Sequence, residues 1–450
     1  MSDPAGQRRC PMCGTLTDDR NCPEDGVETV TVSGFSRDAL SYEPGETIGG
    51  RYRITGTLGR GGFGAVYAAE HVSTLQQLAI KVLALDVGQA EDDVVRRFFK
   101  EAQITAALNH PNTVRVFDVG QAEEGPLYLA MELLQGPTLE QVLRSLKKRG
   151  QTMTQIQAIE TIVPVLRALE EAHDAGLVHR DLKPANIMLT QMRKNEPIVK
   201  VLDFGCARTR DSSLTGEGKA LGTPSYMSPE QCTGKALDGR SDLYALGCIL
   251  FRCVAGELPF ADKNPLSLMY MHTHVAAPDL QAALPDTPLH AGLVEAAKRL
   301  LAKAPKDRYV DAEAIRRELE GILDELRAAA RDRGSAVAIV AMPDDDADTA
   351  LFDATPSSPV DRVGKQSDSS LTSLVEEVSR ELPKMPEKPT SSSIRRAAPP
   401  PSPSAHSDAE NGPTMVADAT GDSSQDATLA IDTSSALAAG GGAAQAAGGA

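Results

Sequence analysis

The sequence lacks the excess of basic residues with which proteins bind nucleic acids or anionic membranes. Its 450 residues include 62 acidic and 46 basic side chains, so the formal net charge is −16. Both kinds of partner attract clustered Lys and Arg. We therefore expect no nucleic acid and no anionic membrane surface among the main partners.

The sequence also lacks the marks of secretion and of membrane insertion. Three of its seven cysteines cluster near the start and four are scattered, which does not resemble a secreted disulfide framework. Polar residues follow Met1, where a signal peptide has a basic patch and an apolar run. The late apolar run 336–342 is too short for a membrane span. These features predict a soluble, cytoplasmic protein without a membrane span.

Composition divides the chain into a short cysteine-bearing segment (1–27), a linker (28–45), a patterned region (46–327) and an acidic tail (328–450). The tail is rich in Ala, Ser, Pro, Asp and Gly, and we expect it to be disordered because it cannot bury enough apolar surface. Within it, residues 371–382 have helical apolar spacing. They form either a helix that needs a partner or a fluctuating helix that has none.

The patterned region begins with strands and continues with helices. Strand patterns cover 52–58, 64–71, 77–84 and 126–134, and helix patterns cover 92–108, 138–148 and 155–175. A small strand-rich part followed by a helix-rich part predicts a binding cleft between the two.

A glycine-rich turn separates the first two predicted strands. Gly59, Gly61 and Gly64 allow a close approach of the backbone to phosphates. A dinucleotide-binding fold and a plain glycine-rich hairpin are the alternatives, but the segment after Gly64 continues as a strand and does not open a helix. Lys81 closes a later apolar strand, and Glu101 follows in a helix, so the two form a candidate pair for holding ATP phosphates.

The motif H-R-D-L-K-P-A-N at 179–186, followed by D-F-G at 203–205, resembles the protein kinase family closely. Within that family the chain looks most like the eukaryotic-type serine/threonine kinases of bacteria. The resemblance implies an α+β, two-lobed protein kinase fold, with a small β-rich lobe, a larger α-helical lobe and a disordered C-terminal tail. It also implies transfer of the γ-phosphate of Mg-ATP to Ser or Thr hydroxyls of protein substrates, in signal transduction.

The resemblance assigns roles to the motif residues. Asp181 would orient the attacking hydroxyl, and Lys183 would neutralise charge on the transferred group. Asn186 and Asp203 would bind Mg²⁺, or Mn²⁺ as an alternative ion, through oxygen atoms. A further set would contact ATP: Leu58, Gly59, Gly61, Gly62, Gly64, Val66, Ala79, Lys81, Glu101, Met131, Glu132 and Leu134.

Other segments extend the resemblance across most of residues 51–310. Asp242 looks like the buried aspartate that holds the catalytic loop, and Arg308 looks like the partner of Glu230. Arg180 beside Asp181 is typical of kinases controlled by phosphorylation of the activation loop. Ser213 and Thr215 are the candidate autophosphorylation sites; the alternative is that they are ordinary solvated loop residues.

The N-terminal segment has two similar turns, C-P-M-C-G at 10–14 and C-P-E-D-G at 22–26. A turn of this kind points two ligands at one metal, so Cys10, Cys13, Cys22 and Asp25 are candidate Zn²⁺ ligands in a minimal zinc-ribbon-like knuckle. The alternative is a decayed knuckle with three free thiols.

Three tail segments, at 349–353, 414–418 and 428–432, share a threonine, three mostly apolar residues and an aspartate. They are either phosphorylated docking segments for phosphothreonine-binding partners or a coincidence within a biased composition. For the whole chain, a non-catalytic scaffold is the competing function. The presence of Lys81, Asp181 and Asp203 argues against it, whereas a role as an assembly hub is compatible with catalysis.

Overall fold

The computed structural model describes residues 8–31, 41–61, 64–83, 92–122, 125–191, 197–204, 224–340 and 370–381. They belong to one compact unit, Met1–Glu387; the second unit, Lys388–Ala450, contains none of them. Within the described part of the chain, no helix is long and apolar enough to cross a membrane.

A small sheet carries the cysteine segment. Its strands are β1 (Arg8–Arg9), β2 (Leu16–Thr17) and β3 (Val30–Thr31), and both neighbours of β1 pair with it antiparallel. Thr29 is fully buried, and its hydroxyl donates to the backbone carbonyls of Asp19 and Arg20. The sheet therefore extends into the segment that the sequence analysis assigned to a linker.

A six-stranded antiparallel sheet follows, and it confirms the predicted strand-rich part. Its strands are β4 (Thr47–Ile48), β5 (Tyr52–Gly61), β6 (Gly64–His71), β7 (Gln77–Leu83), β8 (Val116–Gln121) and β9 (Leu127–Glu132). Their order in the sheet is β4-β5-β6-β7-β9-β8. Helix α1 (Asp92–Ala107) contacts β8.

The small sheet packs against this lobe. Val30 shares one buried apolar cluster with Leu83, Val95, Phe98, Phe99 and Leu127, of which three lie on α1. The backbone N–H of Thr31 donates to the Gln121 side-chain oxygen at 2.8 Å, and the Gln121 amide donates back to the Thr31 carbonyl at 2.8 Å. The cysteine segment is thus fixed to α1 and to the end of β8.

Helices dominate the rest of the described chain, as predicted. They are α2 (Leu139–Lys148), α3 (Gln155–Asp174), α4 (Pro229–Cys232), α5 (Gly239–Ala255), α6 (Pro265–His274), α7 (Ala291–Leu300), α8 (Ala312–Val340) and α9 (Leu371–Glu381). A hairpin of β10 (Ile187–Gln191) and β11 (Pro197–Val201) lies between α3 and α4 in the chain.

Local sequence explains where the central helices begin and end. Thr138 and Thr154 cap α2 and α3, and each forms a reciprocal capping box with a glutamine three residues later. Gly256 ends α5 with φ of 78°, a left-handed conformation that glycine adopts without strain. Helices α3 and α5 supply much of one large apolar core, and the buried face of α9 belongs to that core.

Candidate active site

The segment between α3 and β10 brings three predicted catalytic residues together. The Lys183 ammonium lies 2.7 Å from Asp181 Oδ2, and the Asn186 amide donates to the Asp181 carbonyl at 2.8 Å. A 3₁₀ turn, Pro184–Asn186, sets the spacing of these groups. Asp181, Lys183 and Asn186 therefore form one polar cluster, as the motif predicts.

Asp242, on α5, holds the backbone of this segment. Its side chain is 2% exposed and accepts hydrogen bonds from the backbone N–H groups of His179 at 2.8 Å and Arg180 at 3.0 Å. A third contact, 2.9 Å long, joins it to His173 Nε2. Arg180 has a φ of 65°, and these bonds stabilise that left-handed conformation. The predicted role of Asp242 agrees with this geometry.

The segment after β11 lies against the same cluster. The Leu202 N–H donates to the Asn186 carbonyl at 2.9 Å, and the Leu202 carbonyl lies 2.8 Å from His179 Nε2. Phe204 is fully buried, with its ring centroid 4.9 Å from that of His179. Asp203, between these residues, has a φ of 56°. The backbone at Asp203 is therefore anchored beside the catalytic segment on both sides, through Leu202 and Phe204.

The ion pairs of this region differ from the predicted pairing of Lys81 with Glu101. Lys81 Nζ lies 2.8 Å from Asp203 Oδ1, and Arg180 Nη1 lies 2.8 Å from Glu101 Oε1. The spacing of Lys81 and Glu101 in sequence does not fix the rotation of α1, and in this conformation Glu101 faces the catalytic segment. The predicted pairing of Lys81 with Glu101 remains a prediction.

One apolar cluster joins the strands to the segment before Asp203. Ala79 and Met131 are buried in it, and Val66 and Leu134 pack against them half-buried. Three further members of the same cluster, Val114, Leu133 and Leu202, are not among the predicted ATP contacts. Leu133 lies between the predicted contacts Glu132 and Leu134, and Leu202 lies directly before Asp203, so these two positions carried a signal and Val114 carried none. We call this cluster the apolar pocket, because its composition is the one expected for packing against a planar base.

The predicted phosphate-binding turn is described except for Gly62 and Phe63, which lie outside the described residues. A Cβ at Gly64 would come 1.9 Å from the Val82 carbonyl oxygen, so the sheet itself requires glycine there. A Cβ at Gly59 or Gly61 would meet nothing within 4 Å, which leaves room above the turn. Leu58, before the turn, is 40% exposed.

Glu132 does not offer its carboxylate to a ligand in this pocket. Its Oε1 lies 2.6 Å from Lys200 Nζ and accepts from the Arg115 backbone N–H at 2.8 Å. Any contact of Glu132 with a nucleotide would therefore use its backbone, and the predicted contact remains a prediction.

The cysteine segment gathers its four predicted ligands. The donor atoms of Cys10, Cys13, Cys22 and Asp25 all lie within 4.8 Å of one another. The Cys13 and Cys22 sulfurs are 3.5 Å apart, and the Cys10 sulfur is 3.3 Å from both Asp25 carboxylate oxygens. A tetrahedral zinc site with bonds near 2.3 Å requires ligand separations of about this size.

The two turns of this segment repeat one geometry. The backbone N–H groups of Met12 and Glu24 point at the sulfurs of Cys10 and Cys22, at 3.3 and 3.4 Å. Gly14 and Gly26, with φ of 83° and 71°, close the turns. Burial raises the pKa of the Cys10 thiol to about 11 against the opposing effect of the Met12 N–H, and a bound metal cation would reverse this shift.

Comparisons agree with this geometry. The protein kinase domain family model matches residues 52–319, and the chain belongs to that family. The fold is the two-lobed protein kinase fold, as expected from the sequence. The chain is 39% identical over 309 residues to serine/threonine-protein kinase pkn3 of Myxococcus xanthus, covering 66% of this chain and 55% of that protein. It is 38% identical over 279 residues to PknB of Mycobacterium tuberculosis, covering 60% and 42%.

Among solved structures, the kinase domain of Mycobacterium tuberculosis PknI matches with a TM-score of 0.50 and 29% identity. That match covers 62% of this chain and 99% of that domain. The chain spans only about half the length of the curated relatives given above. The candidate phosphorylation sites Ser213 and Thr215 and the three tail threonine segments lie outside the described residues.

Proposed function

We propose that this chain is a serine/threonine protein kinase that transfers the γ-phosphate of Mg-ATP to hydroxyl groups of protein substrates. One observation carries the proposal: Asp181, Lys183 and Asn186 form a single cluster, and the Leu202–Asn186 hydrogen bond holds Asp203 beside it. Phosphoryl transfer depends mainly on positioning and on charge neutralisation, and this cluster supplies both.

Each side chain has a role that follows from its position. Asp181 orients the acceptor hydroxyl, and Lys183, 2.7 Å from it, neutralises charge on the group in transit. Asn186 and Asp203 present the oxygen ligands that Mg²⁺ prefers, and Mn²⁺ has the same preference. The metal, when bound, neutralises the phosphate oxygens. The pocket of Val66, Ala79, Met131 and Leu134 holds the adenine.

We expect Asp203→Ala to abolish transfer of radiolabelled phosphate from ATP to a generic protein acceptor. The substitution removes a metal ligand, so magnesium-dependent nucleotide binding should be lost as well. Asp174→Ala, which removes an exposed carboxylate at the end of α3, is the matched control and should behave like the wild type. Equal transfer by the wild type and Asp203→Ala would contradict the proposal.

We propose further that phosphorylation of Ser213 or Thr215 activates the kinase through Arg180. Arg180 is paired with Glu101 at 2.8 Å, and a nearby phosphate would compete for the guanidinium. Glu101 would then be released towards Lys81. Mass spectrometry of protein expressed with and without Asp181→Asn decides whether the modification is autocatalytic, because phosphate that persists in the variant would exclude this.

The cysteine segment supports a second proposal, a structural zinc ion bound by Cys10, Cys13, Cys22 and Asp25. The four donor atoms fit a tetrahedral site. Each of the three described strands of the segment has only two residues, and its other anchors are the packing of Val30 and the Thr31–Gln121 hydrogen bonds. Small domains of this size usually need such a metal. The ion would keep β3 in place against α1.

We expect the purified full-length chain to contain about one zinc ion, and Cys13→Ser to lose most of it. Cys232→Ser makes the same chemical change at a buried cysteine outside the cluster and should keep the zinc. Metal analysis by plasma mass spectrometry measures all three. Equal zinc in the wild type and Cys13→Ser would exclude the site.

For the tail we propose that Thr349, Thr414 and Thr428, once phosphorylated, bind phosphothreonine-recognising partners. The support is the shared pattern of a threonine, three mostly apolar residues and an aspartate. If all three threonines stay unmodified after prolonged incubation of the kinase with Mg-ATP, self-made docking sites of this kind are excluded.

A further inference from the structure

Helix α9 packs its apolar face against the helical lobe. Leu371, Leu374, Val375 and Val378 are at most 5% exposed, and they follow the i, i+3, i+4, i+7 spacing of one helix face. The helix contacts α2, α3 and β11. We call the surface formed by these three elements the tail groove. The sequence predicted this helix and left its partner open, and the partner is the chain itself.

The edge of the tail groove carries a matching charge. Arg149, directly after α2, forms ion pairs with Glu377 and, at 3.2 Å, with Glu381. The Ser145 hydroxyl donates to Glu381 at 2.7 Å, and the Arg149 guanidinium donates to that hydroxyl at 2.6 Å. The tail groove is therefore complementary to a helix that has an apolar face and two acidic residues beside that face.

Helix α9 is suited to leave the groove. Its 11 residues are fewer than the roughly 12–15 that an isolated helix needs to be even marginally stable in water. Its helical state thus depends on docking. It also follows the last residue matched by the family model, 319, so it is an addition to the kinase domain. A helix with the same pattern on another protein would make the same contacts.

The walls of the tail groove continue into the active site. Helix α2 contacts the 3₁₀ turn Pro184–Asn186, which carries the catalytic asparagine. Strand β11 ends at Val201, two residues before Asp203. A protein bound in the groove is therefore held next to the segments that we assign to phosphoryl transfer.

We propose that the tail groove is a docking site for protein substrates and that α9 occupies it until a substrate helix replaces it. The substrate helix has apolar residues at i, i+3, i+4 and i+7 and glutamates at i+6 and i+10, as α9 has. The inference that the occupant is a substrate rests on the proposed kinase function. The inference that the groove binds a helix does not depend on that function.

Binding of a fluorescent peptide with the sequence of residues 370–382 to the full-length chain tests the groove. In the wild type the tethered α9 competes at a high effective concentration. Leu374→Asp removes this competitor, so the peptide should bind that variant at least about tenfold more tightly. Ser373→Asp places the same charge on the adjacent, exposed position and should match the wild type.

Substitutions in the tail groove itself should weaken binding of the peptide. Added to Leu374→Asp, Arg149→Ala should weaken peptide binding about tenfold because both glutamate contacts are lost. Arg144→Ala, five residues earlier on α2, is the control, because Arg144 is 71% exposed and is paired only with Glu140 among the described residues. Equal unfolding midpoints of the Arg149→Ala and Arg144→Ala double variants exclude misfolding as the cause of weaker binding. Equal peptide binding by the wild type and Leu374→Asp would contradict the proposal that the tail groove binds a helix.

A kinetic comparison tests the role in substrate capture. Two forms of one acceptor protein, with and without an added α9-like helix, are phosphorylated by the wild type and by Leu374→Asp. The variant should show about a tenfold lower KM for the helix-bearing acceptor only, with kcat unchanged. Phosphate transfer without this difference would overturn substrate docking alone. Peptide binding as expected without any transfer would support the groove and contradict the kinase function.

Discussion

Asp181→Asn should lower kcat for phosphate transfer by roughly 10²–10⁴-fold while the affinity for Mg-ATP stays close to that of the wild type. The amide keeps the shape of the side chain but cannot accept the proton of the acceptor hydroxyl. The proposed metal ligands Asn186 and Asp203 are untouched. The Asp181 backbone, which bonds Asn186 at 2.8 Å and the His179 carbonyl at 2.9 Å, keeps its partners.

Two measurements are needed for this prediction. Initial rates of radiolabel transfer give kcat, and titration with a fluorescent nucleotide in the presence of magnesium gives the affinity. Asp174→Asn, at an exposed position, makes the same change of charge and should alter neither. An Asp181→Asn enzyme that retains wild-type kcat would refute the assignment of Asp181 as the catalytic aspartate.

Arg308→Ala should destabilise the helical lobe by about 3–5 kcal/mol, the usual cost of leaving one member of a buried ion pair. The Arg308 side chain is completely buried and binds both oxygens of Glu230, at 2.7 and 2.9 Å. Its remaining N–H groups donate to the carbonyls of Ala302, Lys303 and Arg240. Alanine removes the Arg308 donors from all of these acceptors, while Glu230 Oε1 keeps the hydrogen bond from the Ser241 hydroxyl.

Urea unfolding followed by circular dichroism measures this loss. Arg317→Ala removes a side chain that is 71% exposed and paired within its own helix, and should cost no more than about 1 kcal/mol. Arg308→Lys keeps the charge but loses the two-pronged geometry, so it should recover only part of the stability. An Arg308→Ala protein as stable as Arg317→Ala would show that the pair does not support the fold.

The same pair predicts a dependence of stability on pH. Burial raises the pKa of Glu230, but hydrogen bonds and the charge of Arg308 outweigh this, so the net pKa lies below the ordinary value of 4.5. A carboxyl group whose pKa is lower in the folded state stabilises the fold at pH values above its pKa in the unfolded chain. This contribution is lost as the pH falls through the pKa of the folded state. The wild type should therefore lose stability below about pH 4.5.

Sequence patterns predicted the parts of the site that chain-local geometry determines. The motif at 179–186 places Asp181, Lys183 and Asn186 within a stretch of six residues, so one 3₁₀ turn brings them together. Helix α2 and helix α3 were predicted because their caps and apolar spacing are local signals. These features need no knowledge of distant contacts.

Distant contacts account for what the sequence did not reveal. The pattern at 371–382 showed an apolar face but not the surface that covers it, because α2 lies more than 220 residues earlier in the chain. The pairing of Glu101 with Arg180 depends on how α1 is rotated against the sheet. Val114 joins the apolar pocket through tertiary packing alone, and its neighbours carry no motif.

The family model matches residues 52–319, but residues outside these limits pack against the matched region. Val30 on one side and α9 on the other each cover apolar side chains of the matched region. A recombinant fragment trimmed to the family limits would uncover Phe98 and Phe99 at one end and the floor of the tail groove at the other. Poor solubility of such a fragment would reflect the apolar side chains that it exposes at these two places. Its catalytic behaviour would not represent that of the whole chain.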